Sequence, residues 1–224
     1  MLPRILEPEL MDTADDAREY DAMDHAAVNG NFVTDLLAAL GGRAGDGLDI
    51  LDLGTGTGLI PIELCRRAPA IRVAAVDAAK HMLELAQKNV DAACLGDRIK
   101  VMHADVKQLP FNSATFQAVI SNSILHHIAD PFTMLVQALA ATMPGGLQFH
   151  RDLCRPATES EVSRLVSEHA SDSTPYQQKL LADSLRAAFT LEEMQALAMR
   201  FGFAGETVLM TSDRHWTWSA TRWW

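Results

Sequence analysis

Three aspartates, three alternating glycines and a histidine pair are the residues of this 224-residue chain whose types and spacing could do chemistry. Asp52 immediately precedes Leu53 and the run Gly54-Thr55-Gly56-Thr57-Gly58. Glycines at alternate positions let a backbone turn sharply and approach a ligand closely, because they lack a Cβ. The run follows the apolar stretch 48–53 and precedes Leu59-Ile60-Pro61-Ile62-Glu63-Leu64, which reads as the opening of a helix. Strand, glycine turn and helix N-terminus together form a cradle for a small polar ligand. Pro61 fits the first helical turn, where its missing N–H costs nothing.

The spacing discriminates between ligands. A dinucleotide fingerprint needs G-x-G-x-x-G/A, and Leu59 or Pro61 stands where the third small residue would be. A phosphate-binding loop needs Gly-Lys-Ser/Thr, and no lysine lies near. Asp52 would repel a phosphate. It suits a ligand that carries an ammonium group and hydroxyls. Asp77 ends a second apolar run, 71–76, and lies 19 residues after Gly58. An acid at the tip of the second strand of a βαβ unit can accept both ribose hydroxyl protons. Asp105 follows a third run, 99–104. A lone aspartate at a strand end is an ordinary cap or turn residue. Three at successive strand ends, together with the glycine loop, read as a ligand set.

These residues resemble motif I and the following acidic positions of class I S-adenosylmethionine (SAM)-dependent methyltransferases. The resemblance covers residues 48–153 by motif and the rest by order of elements. It implies that the glycine loop passes under the methionine part of SAM and that Asp105 accepts a hydrogen bond from the adenine amino group. It implies a cofactor site made of Tyr20, Asp52, Gly54, Thr55, Gly56, Asp77, Ala78, Met82, Asp105, Val106 and Asn122. Tyr20 is the candidate for the SAM carboxylate, on N-terminal helices that also carry Met23, His25 and Asn29 and that fold over the site in related enzymes. The expected product of the cofactor is S-adenosylhomocysteine.

The segment Ser121-Asn122-Ser123-Ile124-Leu125-His126-His127-Ile128 resembles the stretch after strand four of small-molecule methyltransferases, which faces the transferred methyl. It departs from the Asn-Pro-Pro-Tyr motif of amino-directed nucleic-acid methylases, since Ser123 stands where a proline would be. His126 and His127 are the candidate catalytic bases, because neutral imidazole accepts a proton near pH 7. Adjacent residues of a strand or helix point apart, so only one of the pair is expected to act directly. His103, His150 or Asp152 could add a third ligand to make a metal site, but the spacing does not suggest one, and no metal is expected.

The elements that must position these groups alternate. Strands are expected at 48–53, 71–76, 99–104, 117–122 and 147–153. Helices are expected at 58–67, 79–93 and from Pro131 to Met143, with a turn at Pro144-Gly145-Gly146. This is the pattern of a parallel sheet with crossovers. Two N-terminal helices, 13–28 and 29–40, precede it, the second ending at Gly41-Gly42. Beyond 153 the pattern changes. Helices are expected at 158–169 and 175–189, and a third begins with the capping-box spacing Thr190-Leu191-Glu192-Glu193. Strands at 207–211 and 215–222 close the chain as a hairpin. The fold class is α/β: a Rossmann-like, doubly wound, seven-stranded, mostly parallel sheet with a C-terminal antiparallel hairpin strand. Residues 1–41 are an N-terminal helical arm or lid. Residues 42–224 are a class I methyltransferase domain with a helical insertion at about 155–189 that caps the substrate side. Trp216 and Trp218 alternate on one strand face, which fits burial or a dimer contact.

Composition narrows the function classes. A net charge of −10 argues against a nucleic-acid partner, which demands a basic face. The 48% hydrophobic content fits a folded globular domain with a sizeable core. No apolar run approaches 18 residues, and no signal peptide is evident, so a cytoplasmic protein without a membrane partner is expected, as monomer or homodimer. Cys65, Cys94 and Cys154 form neither a zinc pattern nor a disulfide framework. The expected function is methyl transfer from SAM to a small-molecule nucleophile. The alternatives are other chemistry on the same fold, SAM binding without turnover, and protein methylation.

Overall fold

The computed structural model describes residues 2–8, 12–13, 17–18, 21 and 26–224. Tyr20, Met23, His25 and most of the first expected helix lie outside them. Seven strands form one sheet: β1 Asp49–Leu53, β2 Arg72–Asp77, β3 Ile99–His103, β4 Phe116–Asn122, β5 Thr142–Leu153, β6 Val208–Met210 and β7 His215–Thr221. Their order is β3-β2-β1-β4-β5-β7-β6. β1 pairs parallel with β2 and β4, and β2 parallel with β3, whereas β6 and β7 pair antiparallel. The crossover direction reverses between β1 and β4. That reversal is where open α/β sheets hold their ligands.

Among the described residues seven helices accompany the sheet: α1 Ala26–Leu40, α2 Leu59–Arg67, α3 Lys80–Ala92, α4 Pro131–Ala141, α5 Glu159–His169, α6 Pro175–Ala187 and α7 Leu191–Arg200. Contacts divide the chain into two compact units. One comprises Leu10–Asn122, Phe132–His150 and Ser219–Trp224. Its core sets Phe32, Val33, Leu36 and Leu40 of α1 against Ile50, Ile71, Ile120 and Phe149. Phe32 meets Phe149 edge to face at 5.2 Å. The other unit comprises Met1–Glu9, Ser123–Pro131 and Arg151–Trp218. Its core joins Leu153 to Val162, Leu165, Leu185 and Ala188. Each of its three helices starts with a reciprocal capping box, at Thr158/Glu161, Thr174/Gln177 and Thr190/Glu193. Trp216 and Trp218 are fully buried, Trp218 against Phe203. Among the described residues no helix is long and apolar enough to cross a membrane.

Two boundaries differ from expectation. The helix expected to start at Asn29 already includes Ala26–Val28 and runs through Asn29-Gly30-Asn31. Burial of its apolar face outweighs three residues of poor helix propensity. The turn expected at Pro144-Gly145-Gly146 lies inside β5, which starts at Thr142. Gly145 adopts φ +78° and donates its N–H to the Arg222 carbonyl at 2.5 Å, while Arg222 N–H returns to Gly146 O at 2.8 Å. A Cβ on Gly146 would stand 2.6 Å from Thr142 Cγ2, so the glycines allow a tight paired kink instead of a free turn.

Candidate functional site

The glycine loop is built by backbone geometry. Gly54, Gly56 and Gly58 all sit at positive φ, +70°, +55° and +78°. Only glycine adopts this repeatedly without strain. A Cβ on Gly58, which begins α2, would press on Ala86 Cβ of α3 at 3.3 Å. The N–H groups of Gly54 and Thr55 donate to the Val76 carbonyl at 2.9 and 3.0 Å, which ties the loop to the end of β2. Asp77 completes the tie. Its Oδ2 accepts from Gly56 N–H and its Oδ1 from Ala79 N–H, both at 2.8 Å. Burial raises the Asp77 pKa, and the backbone donors oppose that rise. Asp12 adds a cap from the N-terminal segment: its Oδ1 accepts His81 N–H at 3.0 Å at the start of α3.

Beside the loop lies a cleft lined by Asn29, Asp52, Gly54, Thr55, Thr57, Leu59, Ile60 and Asn122. Three lining side chains hold buried polar atoms with no hydrogen-bond partner among the described residues: the Thr55 hydroxyl and two acceptors, Asp52 Oδ2 and Asn122 Oδ1. Asp52 is 2% exposed. Burial pushes its pKa up to about 7. The Thr55 hydroxyl offsets part of this, and the Asp77 charge adds to it. Two orphaned acceptors, one a carboxylate held at the edge of ionisation, call for a ligand that brings N–H donors and positive charge. The methionine ammonium of SAM has that chemistry, so the residues fit the cofactor that the sequence implies.

The other expected cofactor residues are distributed around the loop. Ala78 is half-buried after Asp77. Met82 is buried among Ala17, Ala79 and Leu85. Val106 is buried, and Asp105 is exposed with Oδ1 accepting Lys107 N–H at 2.9 Å. Asn29, on α1, lines the cleft as its place near the lid suggested. Thr57, Leu59 and Ile60 were not singled out from sequence. They follow from the loop continuing into α2.

The segment after β4 is shaped in the other unit. Ser123 adopts φ +56°, unusual for a non-glycine residue, and its N–H donates to Arg151 O at 2.9 Å. A 3-10 turn over Leu125–His127 follows. Asp152 of β5 accepts twice from His126, Oδ2 from the backbone N–H at 3.1 Å and Oδ1 from Nδ1 at 2.5 Å. Burial works to lower the His126 pKa, but Asp152 and then Glu7 outweigh it and the net shift is upward. His127 goes the other way, down to about 3, through burial and the neighbouring His126.

The two histidines do not point apart. Their ring centroids lie 4.2 Å from each other, and both face one oxygen. Glu7 Oε1 stands 3.4 Å from His126 Nε2 and 3.3 Å from His127 Nδ1. A 3-10 turn rotates successive side chains by less than a strand does, which brings both rings to one side. Of the three residues considered as partners, His150 is bonded to Ser121 and Gln148 and His103 to the Ala78 carbonyl. Asp152 sits behind His126, on its other ring nitrogen. Glu7 was not foreseen, because its segment carries no periodic signal. Arg4 anchors that segment, donating to the carbonyls of Ala187, Ala129, His126 and Ile128 and lying 3.7 Å from the centre of the Phe189 ring.

Residues 50–146 match the family model described as a methyltransferase domain. A release factor glutamine methyltransferase of Chlorobaculum tepidum is 28% identical over 172 residues, which span 72% of this chain and 58% of that protein. A ubiquinone/menaquinone biosynthesis C-methyltransferase of Desulfotalea psychrophila is 32% identical over 63% of this chain and 56% of its own length. The chain thus spans a little over half the length of these relatives. A solved SAM-dependent methyltransferase from Aquifex aeolicus superposes with a TM-score of 0.67 at 14% identity, over 93% of this chain and 98% of that one. Residues 50–146 thus carry a methyltransferase domain, and the chain has the fold of class I SAM-dependent methyltransferases.

Proposed function

We propose that this chain transfers the methyl group of SAM to a small-molecule nucleophile and releases S-adenosylhomocysteine. The observation that carries the reading is the cleft at the β1/β4 reversal, where Asp52 Oδ2 and Asn122 Oδ1 are buried acceptors without partners among the described residues. SAM supplies an activated methyl on a sulfonium. What remains for the chain is to bind, orient and exclude water. Asp52 and Asn122 receive the ammonium end. Asp77, already fixed by two backbone donors, receives the ribose hydroxyls with its remaining lone pairs. Ala78, Met82, Asp105 and Val106 are assigned to the adenosine end, and Tyr20 to the SAM carboxylate.

Activation of the acceptor is assigned to the His126–His127 pair, on the strength of the resemblance of the segment after β4. The segment just ahead of α1 acts as the lid, and the insertion 155–189 selects the acceptor. The charge of −10 favours a small or basic acceptor over a nucleic acid. The test is a methyl-transfer screen with labelled SAM over phenols, amines, thiols and carboxylates. Labelled product and S-adenosylhomocysteine are the expected result. Tight SAM binding with no S-adenosylhomocysteine formed from any acceptor class would overturn the reading.

A further inference from the structure

The ligand atoms of Glu7, His126 and His127 all lie within 4.8 Å of one another. They are enclosed: the side chains are 11%, 4% and 19% exposed. The hydrogen bonds behind them settle where the protons sit. His126 Nδ1 faces the Asp152 carboxylate at 2.5 Å and must carry a proton there. Its Nε2 then faces Glu7. On His127, Nδ1 is buried and has no hydrogen-bond partner among the described residues. We therefore assign the His127 proton to Nε2, which leaves the Nδ1 lone pair facing Glu7 Oε1. A proton on His126 Nε2 could serve the Glu7 carboxylate. It would still leave His127 Nδ1 lone pair to lone pair with the same oxygen. Glu7 Oε1 also accepts from the Ser184 hydroxyl at 3.1 Å, and one cation at the centre serves both ring nitrogens and the oxygen's remaining lone pair.

The spacing agrees with a particular kind of cation. Ligand atoms on a tetrahedral zinc ion, with bonds of about 2.0–2.1 Å, stand about 3.3–3.4 Å apart. The two distances from Glu7 Oε1 are 3.3 and 3.4 Å. The Asp152–His126 contact supplies the carboxylate that orients a metal-bound imidazole and raises its basicity. We propose that Glu7, His126 and His127 bind one divalent transition-metal ion of zinc-like preference, with Asp152 as the positioning residue behind His126. Three protein ligands leave a fourth tetrahedral position for water or a ligand heteroatom. Arg4 makes the site possible, because it pins the segment that carries Glu7 to the carbonyls around the histidine turn. The ion would occupy the histidine pair to which acceptor activation is assigned above, so binding is read without turnover and its failure is distinguishable from failure of that assignment.

The test uses the full chain, stripped with a chelator and titrated with Zn²⁺ by calorimetry, then with Co²⁺ by visible absorption. One ion per chain and the intense bands of four-coordinate cobalt are expected. Glu7→Gln and His127→Gln should each weaken Zn²⁺ binding by at least ten-fold, and Asp152→Asn by about 10–100-fold. Circular dichroism checks that each variant is folded, and Glu7→Gln, which keeps side-chain size, decides if the others are not. His169→Gln, in the exposed Glu168–His169–Asp213 group, should leave binding unchanged. No stoichiometric zinc in the native chain would overturn the proposal. So would wild-type affinity in folded Glu7→Gln, or loss of the ion in His169→Gln.

Discussion

Asp52 makes cofactor binding depend on pH in a way that can be worked out. Its carboxyl is buried at the end of β1, and burial raises its pKa to about 7, with Thr55 opposing and the charge of Asp77 reinforcing. An ammonium ligand binds the ionised form, whose Oδ2 has no other hydrogen-bond partner among the described residues. The ionised fraction of the free protein therefore sets the apparent affinity. With a pKa of about 7 that fraction falls about eight-fold between pH 7.5 and pH 6.0, a loss of about 1.2 kcal/mol. Bound ligand should pull the carboxyl back toward an ordinary value, so binding at pH 6 should release a proton. Calorimetry of S-adenosylhomocysteine binding at pH 6.0, 6.75 and 7.5, in buffers of different ionisation enthalpy, reads both effects. Asp52→Asn should bind more weakly throughout and lose the slope. An affinity flat from pH 6 to 7.5 in the native protein, with no proton release, would refute the assignment of Asp52 to the ammonium group.

Other outcomes follow from the same geometry. Asp77→Ala removes a charged acceptor from Gly56 N–H and Ala79 N–H as well as from the ribose, so it should lower stability by about 2–3 kcal/mol besides weakening SAM ten-fold or more; unchanged affinity in a folded variant would remove Asp77 from the site. His150 is buried, its pKa pushed down to about 3, while an unfolded chain titrates near 6.5. Its neutral form costs nothing above pH 7. Below about 6.5 the unfolded state takes up a proton that the native state refuses, so stability falls by about 1.4 kcal/mol per pH unit from this residue. His150→Gln should flatten the decline of the guanidinium midpoint between pH 6.5 and 5, and an identical slope would show that the native state tolerates the proton. Arg4→Ala should lower stability by about 2–3 kcal/mol, read by thermal unfolding, through lost carbonyl contacts and the Phe189 stack. Thr190→Ala should cost about 1 kcal/mol in denaturant titration by opening the α7 capping box.

Local chemistry made much of this protein legible before any coordinates. The central strands β1 and β4 are mostly apolar runs, and a parallel sheet buried on both faces leaves that mark on its sequence. The positive φ at Gly54, Gly56 and Gly58 is a backbone demand that only glycine meets cheaply, so the loop declares itself. The capping box at Thr190 depends on residues three apart and is likewise local. Boundaries were less legible where packing overrode propensity, as in α1 through Asn29 and in β5 through Gly145. The side-chain partnerships of the histidine turn were hidden altogether. Glu7 reaches His126 and His127 across about 120 residues, and Asp152 reaches His126 across 26. No periodicity encodes such meetings, because they depend on how the chain returns upon itself. The sequence could announce a histidine pair. Only the tertiary structure brought a carboxylate to each side of it and left three lone pairs facing one point.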